Sequence, residues 1–244
     1  MATIYTLITG ASSGMGALCS KQFSYNRNLI LASENHEELQ VVKEQCSNIN
    51  SILLWHCNFA SDRAIIEQSL TDFLKEHDAV VEQYVHFAGI LKLMPLKSFS
   101  IDNIDMIFNV NYFSILEIIK ALLKKTNTKS LNNIVLISSL ASVRGEAGNS
   151  IYASTKGAIN SLVFTLAREL APKIRINALM PGSVESPMAK VVLSDDYLND
   201  TLKDTPLGWV SQQDVVDYVE FLLSDKARRI TGQTLFIDGG RSTK

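Results

Sequence analysis

Thr9-Gly10-Ala11-Ser12-Ser13-Gly14-Met15-Gly16 follows without a break on the apolar run Ile4–Thr9, and a helical pattern begins inside it. A strand, a tight glycine turn and a helix start in direct succession open a βαβ unit. Glycine lets the backbone of such a turn approach a ligand closely, while the unpaired N–H groups and dipole of the helix start favour negative charge. The expected ligand is therefore the pyrophosphate of a dinucleotide. The spacing is G-x3-G-x-G, so the commoner G-x-G-x-x-G fingerprint is met only in part.

Outward from this stretch, the runs Leu29–Ser33, Ser51–Cys57, Gln83–Ala88, Asn133–Ser138, Ile174–Leu179 and Gln233–Asp238 alternate with segments of helical period. Most are continuously apolar, as strands buried on both faces must be. The connections leave room for right-handed crossovers, which gives an α/β chain whose parallel sheet is covered on both sides. Ser61 before Asp62-Arg63, Ser100 before Ile101-Asp102 and the Ser211–Asp214 pair read as helix N-caps, and Pro172 stops the Ile151–Ala171 helix. No repeat or linker divides the chain, so residues 1–244 are expected to form one domain. The least regular stretch is Pro181 to Gly208, within which residues 186–208 are expected to act as a substrate lid.

Composition excludes several classes. Of 244 residues, 46% are hydrophobic and 20% charged, a profile that packs a core and does not stay disordered. Lys and Arg number 23 against 25 Asp and Glu, so no basic field gathers phosphate backbones and no nucleic-acid partner is expected. Cys19, Cys46 and Cys57 are odd in number and lack metal-ligand spacing, so neither a metal site nor a disulfide framework is expected. The start MATIYTLITG has no cationic leader pattern, and no apolar stretch of about 18 residues follows. These features lead to the expectation of a soluble, cytoplasmic protein without a membrane partner.

Two further groups stand out. Val85-His86-Phe87-Ala88-Gly89 closes the fourth run, and ligands of open α/β sheets bind beyond carboxyl strand ends. Small Ala88 and Gly89 admit a cofactor against bare backbone, or else they answer a packing demand of the turn. Ser139 ends the fifth run, Tyr152 lies 13 residues later, and Lys156 follows one helical turn on. Positions i and i+4 share a helix face, so Tyr152 and Lys156 can point into one cleft.

From Thr9 through Gly240 the chain resembles the short-chain dehydrogenase/reductase family. The resemblance rests on the Thr9–Gly16 loop, Phe87-Ala88-Gly89, Asn111, the Ser139/Tyr152/Lys156 set, Pro181-Gly182, and Thr231-Gly232-Gln233 through Asp238-Gly239-Gly240. It implies a single-domain Rossmann fold with a seven-stranded parallel sheet and helices on both faces. It also implies NAD or NADP as hydride carrier and a homodimer or homotetramer built through helices near Ile101–Lys125 and Ile151–Ala171. The cofactor contacts it implies are Gly10, Ser12, Ser13, Gly14, Met15 and Gly16 at the pyrophosphate, with Ser33 and Glu34 at the adenosine ribose. Asn58 then lies at the adenine, Ala88 and Gly89 offer bare backbone to the cofactor, and Phe59 and Phe87 are further contacts. Tyr152, Lys156, Pro181, Gly182, Val184, Ser186 and Met188 fall toward the nicotinamide. Three departures appear: Ser186 replaces a usual threonine, Asn58 a frequent aspartate, and His86-Phe87 a usual pair of asparagines.

Reducing a carbonyl places negative charge on its oxygen, so a proton donor and a hydrogen-bond donor must both reach that atom. Tyr152 suits the acid and Ser139 the polariser. A nearby ammonium at Lys156, with a cationic nicotinamide, is expected to favour the Tyr152 phenolate. By resemblance Lys156 also bonds the nicotinamide ribose, and the Asn111 backbone carbonyl holds a relay water; Asn111 alternatively stabilises a helix irregularity. Ser33 leaves room for a 2′-phosphate, whereas Glu34 repels one, so the sequence leans to NAD unless Glu34 turns into solvent. The substrate is a small carbonyl or alcohol. One branch is a 3-oxoacyl thioester, for which Lys124, Lys125 and Lys129, or Arg168 and Lys173, offer a docking patch or merely solvated helix ends. The other is a sugar, steroid or polyol, in keeping with the mixed apolar and acidic lid Met188–Thr205. A catalytically silent dinucleotide sensor is the alternative class, and it predicts damage at Ser139, Tyr152 or Lys156, all of which are present.

Overall fold

The computed structural model describes residues 2–47, 49–61, 63–184 and 200–243. Seven strands, β1 (Thr3–Thr9), β2 (Leu29–Ser33), β3 (Ile52–His56), β4 (Ala79–His86), β5 (Asn133–Ile137), β6 (Arg175–Pro181) and β7 (Thr234–Ile237), form one sheet in the order β3-β2-β1-β4-β5-β6-β7. Every neighbouring pair is parallel. The crossovers carry α1 (Gly14–Phe23), α2 (His36–Glu44), α3 (Ile66–Glu76), α4 (Ile101–Phe108), α5 (Ser114–Leu122), α6 (Ser150–Leu170) and α7 (Gln212–Leu223). This is the α/β fold with a seven-stranded parallel sheet read from the sequence.

Successive strand residues point to opposite faces, and both faces are buried. Leu7, Tyr84 and Ile134 pack on one side with Ile66, Ile115 and Ile159, whereas Ile8, Val85 and Val135 pack on the other with Phe23, Val215 and Val219. Helices α3, α5 and α6 thus cover one face, and α1 and α7 the other. Strand order reverses between β1 and β4, where Thr9 pairs with His86. The carboxyl ends of those two strands therefore open side by side, which is where an open α/β sheet binds its ligand.

Most boundaries fall within two residues of expectation. β4 begins at Ala79, four residues early, and absorbs a register shift opposite Tyr5/Thr6. The Ser100 side chain accepts from the Asn103 N–H at the start of α4, and Ser211 with Asp214 completes a capping box on α7. Ser61 does not cap a helix: α3 starts at Ile66. Asn58 Oδ1 takes the N–H groups of Ala60 and Ser61 at 2.9 and 3.3 Å, and this local turn delays the helix. The long helix expected near Ile101–Lys125 is interrupted by a π-helical turn at Asn109–Phe113 between α4 and α5. Of the expected lid, residues 186–199 lie outside the described residues, and residues 200–203 are helical. Among the described residues no helix is long and apolar enough to cross a membrane, and no group of three His, Cys, Asp or Glu is arranged to hold a metal.

Candidate active site

A cleft of about 330 Å³ opens at the carboxyl ends of β1, β2 and β4. Its walls include Gly10, Ser12, Ser13, Gly14, Met15 and Gly16 from the first turn, Ser33 and Glu34 after β2, and Phe59 beyond β3. Phe87, Ala88 and Gly89 complete the floor. The fold thus gathers twelve of the residues named for the cofactor into one wall. Gly10 has φ +66°, and a Cβ there would meet the Ala88 backbone nitrogen at 2.6 Å, so glycine is what lets the first turn lie on the floor. Ser13 stands at the N-cap of α1 without a side-chain cap bond, and the first turn holds no acidic residue. The helix start is left both uncapped and free of negative charge, as a pyrophosphate requires. These residues fit a dinucleotide.

Ile90, Ala60, Met106 and Val110 also line the cleft and were not singled out from the sequence. The signal for three of them was present: Ile90 directly follows Gly89, and Met106 and Val110 are four residues apart. Ser33 Oγ donates to Ser12 Oγ at 2.9 Å, which ties the end of β2 to the glycine turn. Asn58 stands outside the cleft lining, with its Oδ1 engaged by the Ala60 and Ser61 N–H groups. Pro181 ends β6 and Gly182 donates its N–H to the Ile237 carbonyl at 2.8 Å, while Val184 bridges to Val210. Ser186 and Met188 lie outside the described residues.

Ser139 follows β5 and extends into a short turn, where its Oγ accepts from the Ala141 N–H at 3.2 Å. Tyr152 and Lys156 share one face of α6, with the Lys156 Nζ 5.6 Å from the Tyr152 ring centroid. Burial raises the Tyr152 phenol above the ordinary tyrosine pKa, while a hydrogen bond with Ser139 pulls it the other way. The sequence had suggested a phenolate favoured by the ammonium and a cationic nicotinamide; among the protein groups, desolvation sets the direction and favours the neutral phenol. Lys156 is buried and donates to the Ile137 carbonyl at 2.7 Å, and the Ser138 hydroxyl donates to the Lys156 carbonyl at 3.0 Å. Desolvation lowers the Lys156 pKa to about 8. Tyr152 and Lys156 are absent from the cleft lining, yet a Cβ on Gly89 would stand 3.6 Å from both the Lys156 Nζ and the Asn111 Oδ1. The end of the floor and the catalytic candidates are thereby joined.

Asn111 is fully buried at the centre of the π turn. Its Oδ1 accepts from the Ile90 N–H at 2.8 Å, and its Nδ2 donates to the Ile90 carbonyl at 3.0 Å and to Thr155 Oγ1 at 3.2 Å. One amide thus pins the segment after Gly89 to α6 beside Lys156. Thr155 was not anticipated, because nothing in the local sequence distinguishes it from an ordinary buried helix threonine.

A family model described as Enoyl-(Acyl carrier protein) reductase matches residues 10–242. L-xylulose reductase of Bos taurus is 30% identical over 239 residues, covering 96% of this chain and 94% of its own. The 3-oxoacyl-acyl-carrier-protein reductase FabG of Chlamydia trachomatis serovar D is 30% identical over 241 residues, with coverage of 96% and 95%. The crystal structure of a short chain dehydrogenase from Burkholderia cenocepacia J2315 in complex with NADP superposes with a TM-score of 0.86 at 26% identity, over 98% of this chain and 97% of that one. Glycine turn, sheet order and full-length similarity agree, and the chain belongs to the short-chain dehydrogenase/reductase family as an NAD(P)-dependent oxidoreductase that interconverts carbonyl and alcohol.

Proposed function

We propose that Tyr152 is the proton donor, Ser139 the carbonyl polariser and Lys156 the electrostatic partner in reduction of a small carbonyl with NADH. The observation that carries the roles is the linkage of Ser139 with Tyr152 by a hydrogen bond and of Tyr152 with Lys156 across one helix face. A bound nicotinamide supplies the hydride. Tyr152 places its proton on the developing alkoxide, Ser139 donates to the same oxygen, and Lys156 holds positive charge beside the phenol as it loses its proton. Asn111, whose side chain is committed to Ile90 and Thr155, offers its backbone carbonyl to a relay water. The chain acts as one domain with residues 186–208 as lid, and it associates through α4, α5 and α6, where Ile101 and Phe164 are exposed. The cysteines, none in a disulfide among the described residues, accord with a cytoplasmic setting.

The preference for NAD rests on the cleft wall, whose described residues include Glu34 and no lysine or arginine. A 2′-phosphate needs a cation to offset its charge. A small hydroxylated carbonyl is favoured over an acyl carrier thioester by two observations. Lys124, in the suggested docking patch, is bound to Glu67 at 2.9 Å and Thr71 at 3.1 Å. The loop joining Ser139 to Tyr152 is polar: it carries Arg144 and Glu146 in ion pairs and a buried, unpartnered Asn149 Oδ1. The test is kcat/KM with NADH and NADPH against ketopentoses and a 3-oxoacyl thioester. NADH with a ketopentose is expected to lead, and a hundredfold advantage of NADPH or of the thioester would reverse the corresponding choice.

A pH profile tests Lys156 independently. Its pKa is lowered to about 8, so the ammonium is present below that pH and is lost as pH rises through it; Tyr152 is shifted upward and stays protonated there. In the reductive direction kcat/KM for the cofactor, which reports the free enzyme, is expected to be level below about pH 8 and to fall above it. Lys156→Arg should remove that alkaline limb by keeping the charge, and an unchanged limb in this variant assigns it to another group.

A further inference from the structure

Beneath the cleft floor lies a buried titratable group that the chemistry above does not use. His86, the last residue of β4, is completely excluded from solvent. Its Nδ1 lies 2.7 Å from the Tyr84 hydroxyl and 2.8 Å from Thr9 Oγ1. Each of these hydroxyls carries a proton that it can direct at that nitrogen. Only an unprotonated nitrogen accepts such a bond. The ring proton therefore belongs on Nε2. The backbone of Val110 and Ala88 lies against the ring, and Nε2 has no aligned hydrogen-bond partner among the described residues.

The position of the ring gives this network its consequence. Thr9 leads directly into Gly10; Phe59, whose ring centroid is 6.4 Å from the imidazole, lines the cleft, as do Ala88 and Val110. Val110 lies in the π turn that carries Asn111. Burial and the charge of Lys156 together hold the His86 pKa down to about 3. An apolar ring here would strand the Tyr84 hydroxyl in the core, and a charged one would oppose the Lys156 ammonium.

We propose that His86 is a positioning residue for the cofactor cleft and for Lys156. Fixed as the neutral Nε2–H tautomer by the Thr9 and Tyr84 hydroxyls at Nδ1, it spaces the glycine turn, Phe59, Ala88-Gly89 and the π turn, and it keeps a second positive charge from Lys156. The last clause rests on the role proposed for Lys156; the rest does not.

The test combines 15N NMR of histidine-labelled protein with titration of NADH and NADPH binding, for wild type and the variants His86→Asn, His86→Leu, Tyr84→Phe and Tyr84→Phe/Thr9→Val. In the wild type, one of the four histidines is expected to show a bare Nδ1 and a protonated Nε2, unchanged between about pH 5.5 and 8.5. His86→Leu is expected to weaken cofactor binding about tenfold or more, the scale of one buried polar group left unpaired. His86→Asn, which restores an amide able to bond the two hydroxyls, is expected to recover most of that loss. The double hydroxyl variant keeps the bulk of all three side chains, and it should mix the two tautomers and weaken cofactor binding together. A proton on Nδ1, a charged ring at neutral pH, or a folded His86→Leu protein with wild-type cofactor affinity overturns the proposal. Should His86→Leu fail to fold, unchanged tautomer and affinity in the double variant overturn it instead. Neither arm needs turnover, so a wild type inactive on every carbonyl would defeat the catalytic reading and still leave this one decided.

Discussion

Tyr152→Phe is expected to lower kcat by about 10³-fold while leaving cofactor affinity within about twofold of wild type. The variant keeps the aromatic ring on α6 and deletes one oxygen, the atom that hydrogen-bonds Ser139 and that we propose as the carrier of the transferable proton. Ser139 still reaches the carbonyl, so a residue of activity from polarisation remains. Because Tyr152 is not part of the cleft wall around the pyrophosphate and adenosine, its hydroxyl has little leverage over cofactor binding. Stopped-flow hydride transfer and fluorescence titration read the two quantities separately. A variant that kept most of its kcat would remove Tyr152 from the acid role, and one that lost cofactor binding in proportion would make it a binding residue.

Gly10→Ala is expected to destabilise the protein by roughly 3 kcal/mol or more and to abolish measurable cofactor binding. Two costs coincide. The residue has φ +66°, which an L side chain adopts with strain, and its Cβ would lie 2.6 to 2.8 Å from backbone atoms of Phe87 and Ala88. Backbone cannot rotate aside as a side chain can, so β1 and β4 would have to part at their carboxyl ends. Gly14→Ala is the control: φ is +54°, but nothing stands within 4 Å of its Cβ, so it meets the strain alone, about 1 kcal/mol. Urea denaturation of both variants separates the effects. Equal stability of the two would mean that contact between the glycine turn and the floor does not hold the strands together.

Much of this architecture could be read from the chain because its signals are local. The β1 apolar run, the glycine turn and the Ser211–Asp214 capping box each depend on a few adjacent residues, and the continuous apolar runs declare strands buried on both faces. The misreadings arise where a distant or competing bond decides. Ser61 looked like an N-cap, but the Asn58 side chain takes its N–H and the helix waits until Ile66. The interruption of α4 and α5 is written in no periodicity. It accompanies Asn111, whose three partners at Ile90 and Thr155 lie 21 and 44 residues away. For the same reason the spacing of Tyr152 and Lys156 was legible, whereas their ionisation was not: burial is a property of the assembled core, and it raises one pKa and lowers the other.

The bond between Thr9 and His86 spans 77 residues of sequence. It follows that the nucleotide-binding turn is not a portable cassette. An amino-terminal fragment that stops before β4 contains every glycine of the turn and nothing for it to lie on. Grafting residues 9–16 into another scaffold transfers the letters without the surface that gives them meaning. Engineering cofactor affinity in this protein therefore means redesigning two strand ends at once.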